Sequence, residues 1–285
     1  MAIDYEAEYN NRARVPEHPA IIDGWARDAA AYRETHPPTV IAYGSSERQR
    51  IDLFEPRPRA SGALAVFIHG GYWQALDRHF FSHMARGLNA HGIAVAVPGY
   101  ELCPRVRVGN IIEGLRAACR TLAPRGQELV VAGHSAGGHL AACMLATDWD
   151  RAETVGRPVV RAAYAISGLF DLRPLIATSV NGALGLDDEE AAAASPLFWA
   201  APAGLSLDAV VGANESAEYL RQSRTIIEAW AAKGVRTRYE AIPGANHFTV
   251  IAALADPASA MTRRLAELAG ATRSRAGSPS ATGVA

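Results

Sequence analysis

Short apolar runs spaced by helical stretches constrain this chain more than any other feature. Ala63–His69, Ile93–Pro98, Glu128–Gly133, Val159–Ser167 and Leu207–Gly212 are strand-length and nearly continuous in apolar residues; Arg236–Ile242 is a more polar run of the same kind. Runs that do not alternate suit strands buried on both faces, as in parallel sheets. Between most of them lie segments of helical character, at 79–91, 108–122, 136–147, 218–233 and 257–268. Strand and helix in alternation predict an α/β fold with a mostly parallel central sheet and helices on both faces.

The flanks differ from this middle. Residues 1–20 are polar, hold Pro16 and Pro19, and read as a segment wrapped over the surface. Trp25–Glu34 reads as a helix stopped by Pro37 and Pro38, because a residue before proline avoids the helical region. Arg48–Phe54 alternates in part like a strand, ended by Pro56 and Pro58. From 168 to 205 the rhythm breaks into a stretch too long for an ordinary connection, expected to form a small cap over the strand ends. Residues 1–270 are expected to make one domain, with a disordered Ser-, Gly- and Ala-rich tail at 271–285.

Composition narrows the partners. With 28 Lys+Arg against 29 Asp+Glu and no basic stripe, a nucleic acid is not an expected partner. No run approaches the roughly 18 apolar residues of a membrane helix. Asp4, Glu6 and Glu8 stand where a signal peptide would carry cations. Cys103, Cys119 and Cys143 are widely spaced and form no CxxC, which fits a reduced, cytoplasmic protein. Monomer and homodimer both stay open.

One motif brings chemistry to the pattern. Gly133-His134-Ser135-Ala136-Gly137 lies between the run ELVVAG and the helical AGGHLAACML. A G-x-S-x-G in that setting forms a tight strand-to-helix turn with the serine hydroxyl at its tip. The helix's positive end then lies where negative charge develops. A second glycine-rich loop, His69-Gly70-Gly71-Tyr72-Trp73, follows directly on an earlier apolar run. Backbone N–H groups of Gly70 and Gly71, with that of Ala136, are the expected oxyanion donors.

In folds with this elbow the base and its acid follow the nucleophile in the order Ser, acid, His. Downstream of Ser135 only His139 and His247 are available. His139 lies on the elbow helix ahead of every acid candidate and is expected in the pocket or in packing. His247 follows the last strand run and is the expected base. Glu215, the first carboxylate after Leu207–Gly212, is the expected acid, with Asp171 and Glu218 as rivals. Tyr72, Trp73 and Phe170, with Phe198 and Trp199 in the cap, are expected aromatic walls for a substrate. His79 and His83 have helical spacing but neither an HExxH nor a third ligand, so a solvated helix face is expected there rather than a metal site.

The segments YNNRARVP, HGGYW, GHSAGGHL, SGLFDLRPL, GANESAEYLRQSR and PGANHF together resemble the kynurenine formamidases (arylformamidases), over roughly residues 8–255. The resemblance implies an α/β-hydrolase fold and hydrolysis of N-formyl-L-kynurenine, or of a related aryl formamide or ester, through an acyl-enzyme and without a cofactor. It matches Ser135 to the nucleophile, His247 to the base, and Gly70, Gly71 and Ala136 to the oxyanion donors. Glu215 departs from the pattern, standing where many members carry aspartate. General carboxylesterase action on short acyl or aryl esters is the alternative.

Overall fold

The computed structural model describes residues 3–57, 62–122, 128–149 and 159–276. Its strands are β1 (Thr39–Ala42), β2 (Arg50–Phe54), β3 (Leu64–Ile68), β4 (Ala94–Pro98), β5 (Leu129–His134), β6 (Val160–Ile166), β7 (Ser206–Gly212) and β8 (Arg236–Ile242). They form one sheet in the order β1-β2-β4-β3-β5-β6-β7-β8. β1 and β2 pair antiparallel, as do β2 and β4, while every pairing from β4 across to β8 is parallel.

Successive residues of the central strands serve opposite faces of this sheet, as the strand period requires. Leu64, Val66 and Ile68 of β3 enter one core with Leu129 and Val131 of β5, whereas Ala65, Phe67, Val130 and Ala132 enter the other. All five residues of β3 are buried, and this two-sided burial is why the run carries no polar alternation.

Helices α1 (Tyr5–Tyr9), α2 (Asn11–Arg14), α3 (His18–Thr35), α4 (Ala85–Ala90), α5 (Val108–Leu122), α6 (Ala136–Leu145), α7 (Asn181–Leu184), α8 (Asp188–Ala193), α9 (Ala217–Ala231) and α10 (Ala260–Ala276) complete the chain. α5, α6 and α9 pack into the first core through residues such as Leu115, Leu140 and Trp230. α3, α4 and α10 pack into the second through Trp25, Leu88 and Leu265.

The described residues depart from expectation at several places. The segment 79–91 is not one helix with a solvated face but two 3₁₀ turns, Arg78–Phe80 and Ser82–Met84, followed by α4. Phe81, Ser82, His83 and Met84 are consecutively buried, and a one-sided helix cannot bury four residues in a row. His79 binds Asp77 instead, with Nδ1 2.6 Å from Oδ1. Residues 3–20 do more than wrap the surface, because α1 and α2 bury Tyr9 and Asn11. α3 begins earlier than expected, with Pro19 in its first turn, where proline's missing N–H costs nothing. The expected tail is helical as far as Ala276, and its remainder, 277–285, lies outside the described residues. The segment 168–205, expected as a cap, holds two 3₁₀ turns with α7 and α8 between them. No helix among the described residues is long and apolar enough to cross a membrane.

Candidate active site

β5 ends at His134 and α6 begins at Ala136, leaving Ser135 alone at the bend with φ 57° and ψ −118°. Few L-residues adopt that backbone, and such strain persists only where the surroundings over-determine it. Here they do. A Cβ on Gly133 would lie 2.1 Å from the Gly137 carbonyl oxygen, and one on Gly137 2.0 Å from that of Ile68. Only glycine fits either position. The Ser135 N–H donates to the Ile166 carbonyl at 2.8 Å, fastening the bend to β6. Ala136 opens α6, so its N–H belongs to a first turn without intrahelical acceptors.

His247 and Glu215 meet across the loops that follow β8 and β7. His247 Nδ1 donates to Glu215 Oε2 at 2.7 Å, which leaves Nε2 as the nitrogen available to a hydroxyl. The other carboxylate oxygen accepts from Ser167 Oγ at 2.5 Å and from the Gly212 N–H at 2.7 Å. Three donors therefore fix one carboxylate, and all three of its partners stand at the carboxyl ends of parallel strands. The rival acids are occupied elsewhere. Glu218 pairs with Arg221 and accepts from Tyr9, while Asp171 is held bidentate by Arg173.

Two rings brace the imidazole. His134 donates from Nε2 to the His247 carbonyl at 2.8 Å, with ring centres 4.8 Å apart. Burial holds the His134 pKa well below 6.5, so this brace stays neutral. The Tyr219 ring lies 4.7 Å from that of His247.

The glycine loop is shaped by its first residue. His69 is fully buried and stacks on Tyr100 at 4.2 Å, and burial lowers its pKa to about 4. Its Nδ1 donates to the Gly70 carbonyl at 2.8 Å. In a trans peptide the next N–H points opposite to that carbonyl, so the bond turns the Gly71 N–H away from His69. Gly71 lines the cavity, with φ 111° and no room for a Cβ, which would meet the Ala75 oxygen at 2.2 Å. Gly70 does not line it, but a Cβ there would lie 3.1 Å from that of Ser135, so the loop backbone runs directly against the elbow.

Ser135 and His247 open into one cavity of about 490 Å³, within the usual size for small-molecule sites. Tyr72 lines it, but the other expected walls do not. Trp73, His139 and Phe170 are 0% exposed and belong to packing: Trp73 meets His139 edge-on at 5.0 Å, and His139 Nε2 donates to the Ala194 carbonyl. Phe198 and Trp199 lie outside the lining under Arg173 and Arg116. Trp25 and Phe248 supply the missing aromatic surface.

Apart from Tyr72, the outer wall is built and held by residues that the sequence does not assign to the site. Tyr72 Oη donates to the Tyr9 carbonyl at 2.6 Å and meets Tyr219 Oη at 2.7 Å; Asn11 Nδ2 donates to Tyr219 Oη at 2.9 Å. Gln222, 1% exposed, donates to Tyr9 Oη and the Asp171 carbonyl and accepts from the Phe170 and Asp171 N–H groups. Nothing local in the sequence marks these pairings. Ser167 is different: it directly follows an apolar strand that lies between the two strands leading to Ser135 and Glu215, a place where ligand-facing groups gather.

A family model described as alpha/beta hydrolase fold matches residues 65–251. Kynurenine formamidase of Salmo salar is 30% identical over 240 residues, covering 81% of each chain, and that of Danio rerio 28% over 239 residues with the same coverage. The chain belongs to the kynurenine formamidase family of α/β-hydrolases. A crystal structure described as a candidate thioesterase, from Silicibacter sp. tm1040, superposes on this family member with TM-score 0.81 at 35% identity, covering 92% of this chain and 98% of the other. A Pyrobaculum calidifontis esterase, 19% identical with TM-score 0.69 over 90% and 93% of the two chains, shares the fold.

Proposed function

We propose that this chain is a cytoplasmic arylformamidase that hydrolyses N-formyl-L-kynurenine to L-kynurenine and formate by two acyl transfers. The observation that carries the reading is the hydrogen-bonded chain from Ser167 and Gly212 through Glu215 to His247, ending in the cavity that Ser135 also lines. His247 Nε2 takes the Ser135 proton as Oγ attacks the formyl carbon. Glu215 holds the imidazole in the required tautomer and stabilises the imidazolium. The N–H groups of Gly71 and Ala136, with Gly70 shaping the same loop, take the charge on the formyl oxygen. The imidazolium then protonates the departing arylamine nitrogen, leaving a formyl ester on Ser135. Water, deprotonated by the same histidine, attacks that ester and releases formate.

A carboxylesterase would use the same acyl-enzyme, and the solved relative described as a candidate thioesterase favours keeping that second reading. The two separate on a substrate panel of N-formylkynurenine, formanilide and p-nitrophenyl acetate, run with wild type and Ser135→Ala. The formamidase reading expects kcat/KM for N-formylkynurenine far above that for the ester, with every activity lost in the variant. Comparable values for ester and formamide would favour the esterase.

A further inference from the structure

Two side chains of opposite charge stand on the outer wall of the cavity, and neither serves the bond-breaking steps. Glu6 of α1 and Arg12 of α2 both line it. Glu6 is engaged: its carboxylate accepts from the Ser179 N–H at 2.7 Å, the Ser179 hydroxyl at 2.9 Å and Asn10 Nδ2 at 3.2 Å. The Ser179 bonds lower its pKa and keep it anionic. The Arg12 guanidinium has no hydrogen bond or ion pair with any described residue, and among the described residues no other Lys or Arg lines the cavity. Its backbone is nevertheless fixed, because the preceding Asn11 is 4% exposed and tied to Tyr219.

A guanidinium offers a planar fork of donors that matches a carboxylate, and it stays charged at any working pH. An unpartnered fork on a cavity wall whose one carboxylate is already engaged suits a ligand that carries a carboxylate. Resting on the function proposed above, the substrate has such a group: an α-amino acid tail at the end remote from its formamide. Ser135 and Arg12 line the same cavity, so a ligand with its formyl carbon at Ser135 has its tail in the space that Arg12 borders.

We propose that Arg12 binds the α-carboxylate of that tail, so that the enzyme selects aryl formamides carrying an amino acid over neutral ones. Arg12 touches no reacting atom. It determines binding and leaves the chemical steps to the inner residues.

The test is calorimetric binding of L-kynurenine and of 2-aminoacetophenone, which is the same aryl ketone without the amino acid, to wild type, Arg12→Gln and Arg12→Lys. Neither compound carries a formyl group, so binding is read apart from turnover. Wild type should prefer L-kynurenine. Arg12→Gln should weaken L-kynurenine three- to tenfold and leave 2-aminoacetophenone within twofold, and Arg12→Lys should restore part of the loss. The proposal is overturned if wild type shows no preference, if Arg12→Gln leaves L-kynurenine unchanged, or if it weakens both ligands alike. A protein that prefers L-kynurenine through Arg12 yet fails to cleave N-formylkynurenine would instead refute the formamidase reading and leave this one standing.

Discussion

The inner and outer halves of the cavity are held by different kinds of bond. At the inner half, backbone does much of the holding: the Ser135 N–H is fixed to Ile166, Glu215 to the Gly212 N–H, and the His247 carbonyl to His134. Ile166 and Gly212 end strands buried on both sides, so these anchors move only if the sheet does. The outer half leans on side chains reaching between segments far apart in sequence: Asn11 to Tyr219, Glu6 to Ser179, and Glu8 to the N–H of Glu218. A rigid centre faces a wall that is stitched on. Changes at the centre should therefore act on kcat, and changes at the wall on KM.

The largest effects should break the centre. Ser135→Ala removes the proposed nucleophile and should lower kcat by on the order of 10⁴–10⁶, the loss that serine triads show. Glu215→Gln keeps the shape but removes the charge that stabilises the imidazolium, and should cost about 10³–10⁴ in kcat with little change in KM. Steady-state kinetics on N-formylkynurenine decide both. A Glu215→Gln enzyme losing less than tenfold would mean that the carboxylate on His247 does no more than pack.

The same division governed what could be read from the sequence. β8 spans the limits its pattern predicts, Arg236–Ile242, and the buried strands were legible because burial on both faces leaves no polar residue to break the run. The elbow was legible because its glycines are demanded by contacts within a few residues. Glu215 and His247 followed from their places after successive strands. The wall was not legible, since Tyr9 meets Glu218 across 209 residues and no local signal records such a contact. The aromatic walls failed for a related reason. Tyr72 and Trp73 are neighbours in the glycine loop, yet one faces the cavity and the other is wholly in the core, and sequence alone did not show which turned inward.

Ser167 sharpens the comparison from the inner side. Its hydroxyl is one of three donors on Glu215, and a hydrogen bond to a charged group contributes about 1.5–3 kcal/mol. Because the Gly212 N–H still holds the same oxygen, Ser167→Ala should fall at the low end, lowering kcat about tenfold with KM unchanged. A rise in KM equal to the fall in kcat would place Ser167 with the wall instead. Asn11→Ala should do the reverse. Losing its neutral hydrogen bond to Tyr219, worth about 1 kcal/mol, with the longer one to Tyr72, should raise KM by about three- to fivefold and spare kcat. If kcat falls as much, Tyr219 transmits the loss to His247 and the two halves are not independent.

The smallest effect lies at Glu6, on the stitched side. Its carboxylate is accessible, so solvent screens its bonds to Ser179 and little stability rests on them. The sign of their pH dependence is nonetheless fixed. The Ser179 bonds depress the folded-state pKa below the ordinary 4.5, so the contact is present above that value and is lost as pH falls through the lower, folded one. Hydrogen exchange of the amides at 5–14, corrected for intrinsic rate, should therefore quicken in acid while that of β5 stays slow. Glu6→Gln should show the quicker exchange already at neutral pH and no acid step, with KM raised by about twofold or less, as expected for a solvent-exposed contact. Equal protection of both segments through the acid range would show that α1 is anchored by Tyr9 and Asn11 alone, and that the wall is built as firmly as the centre it faces.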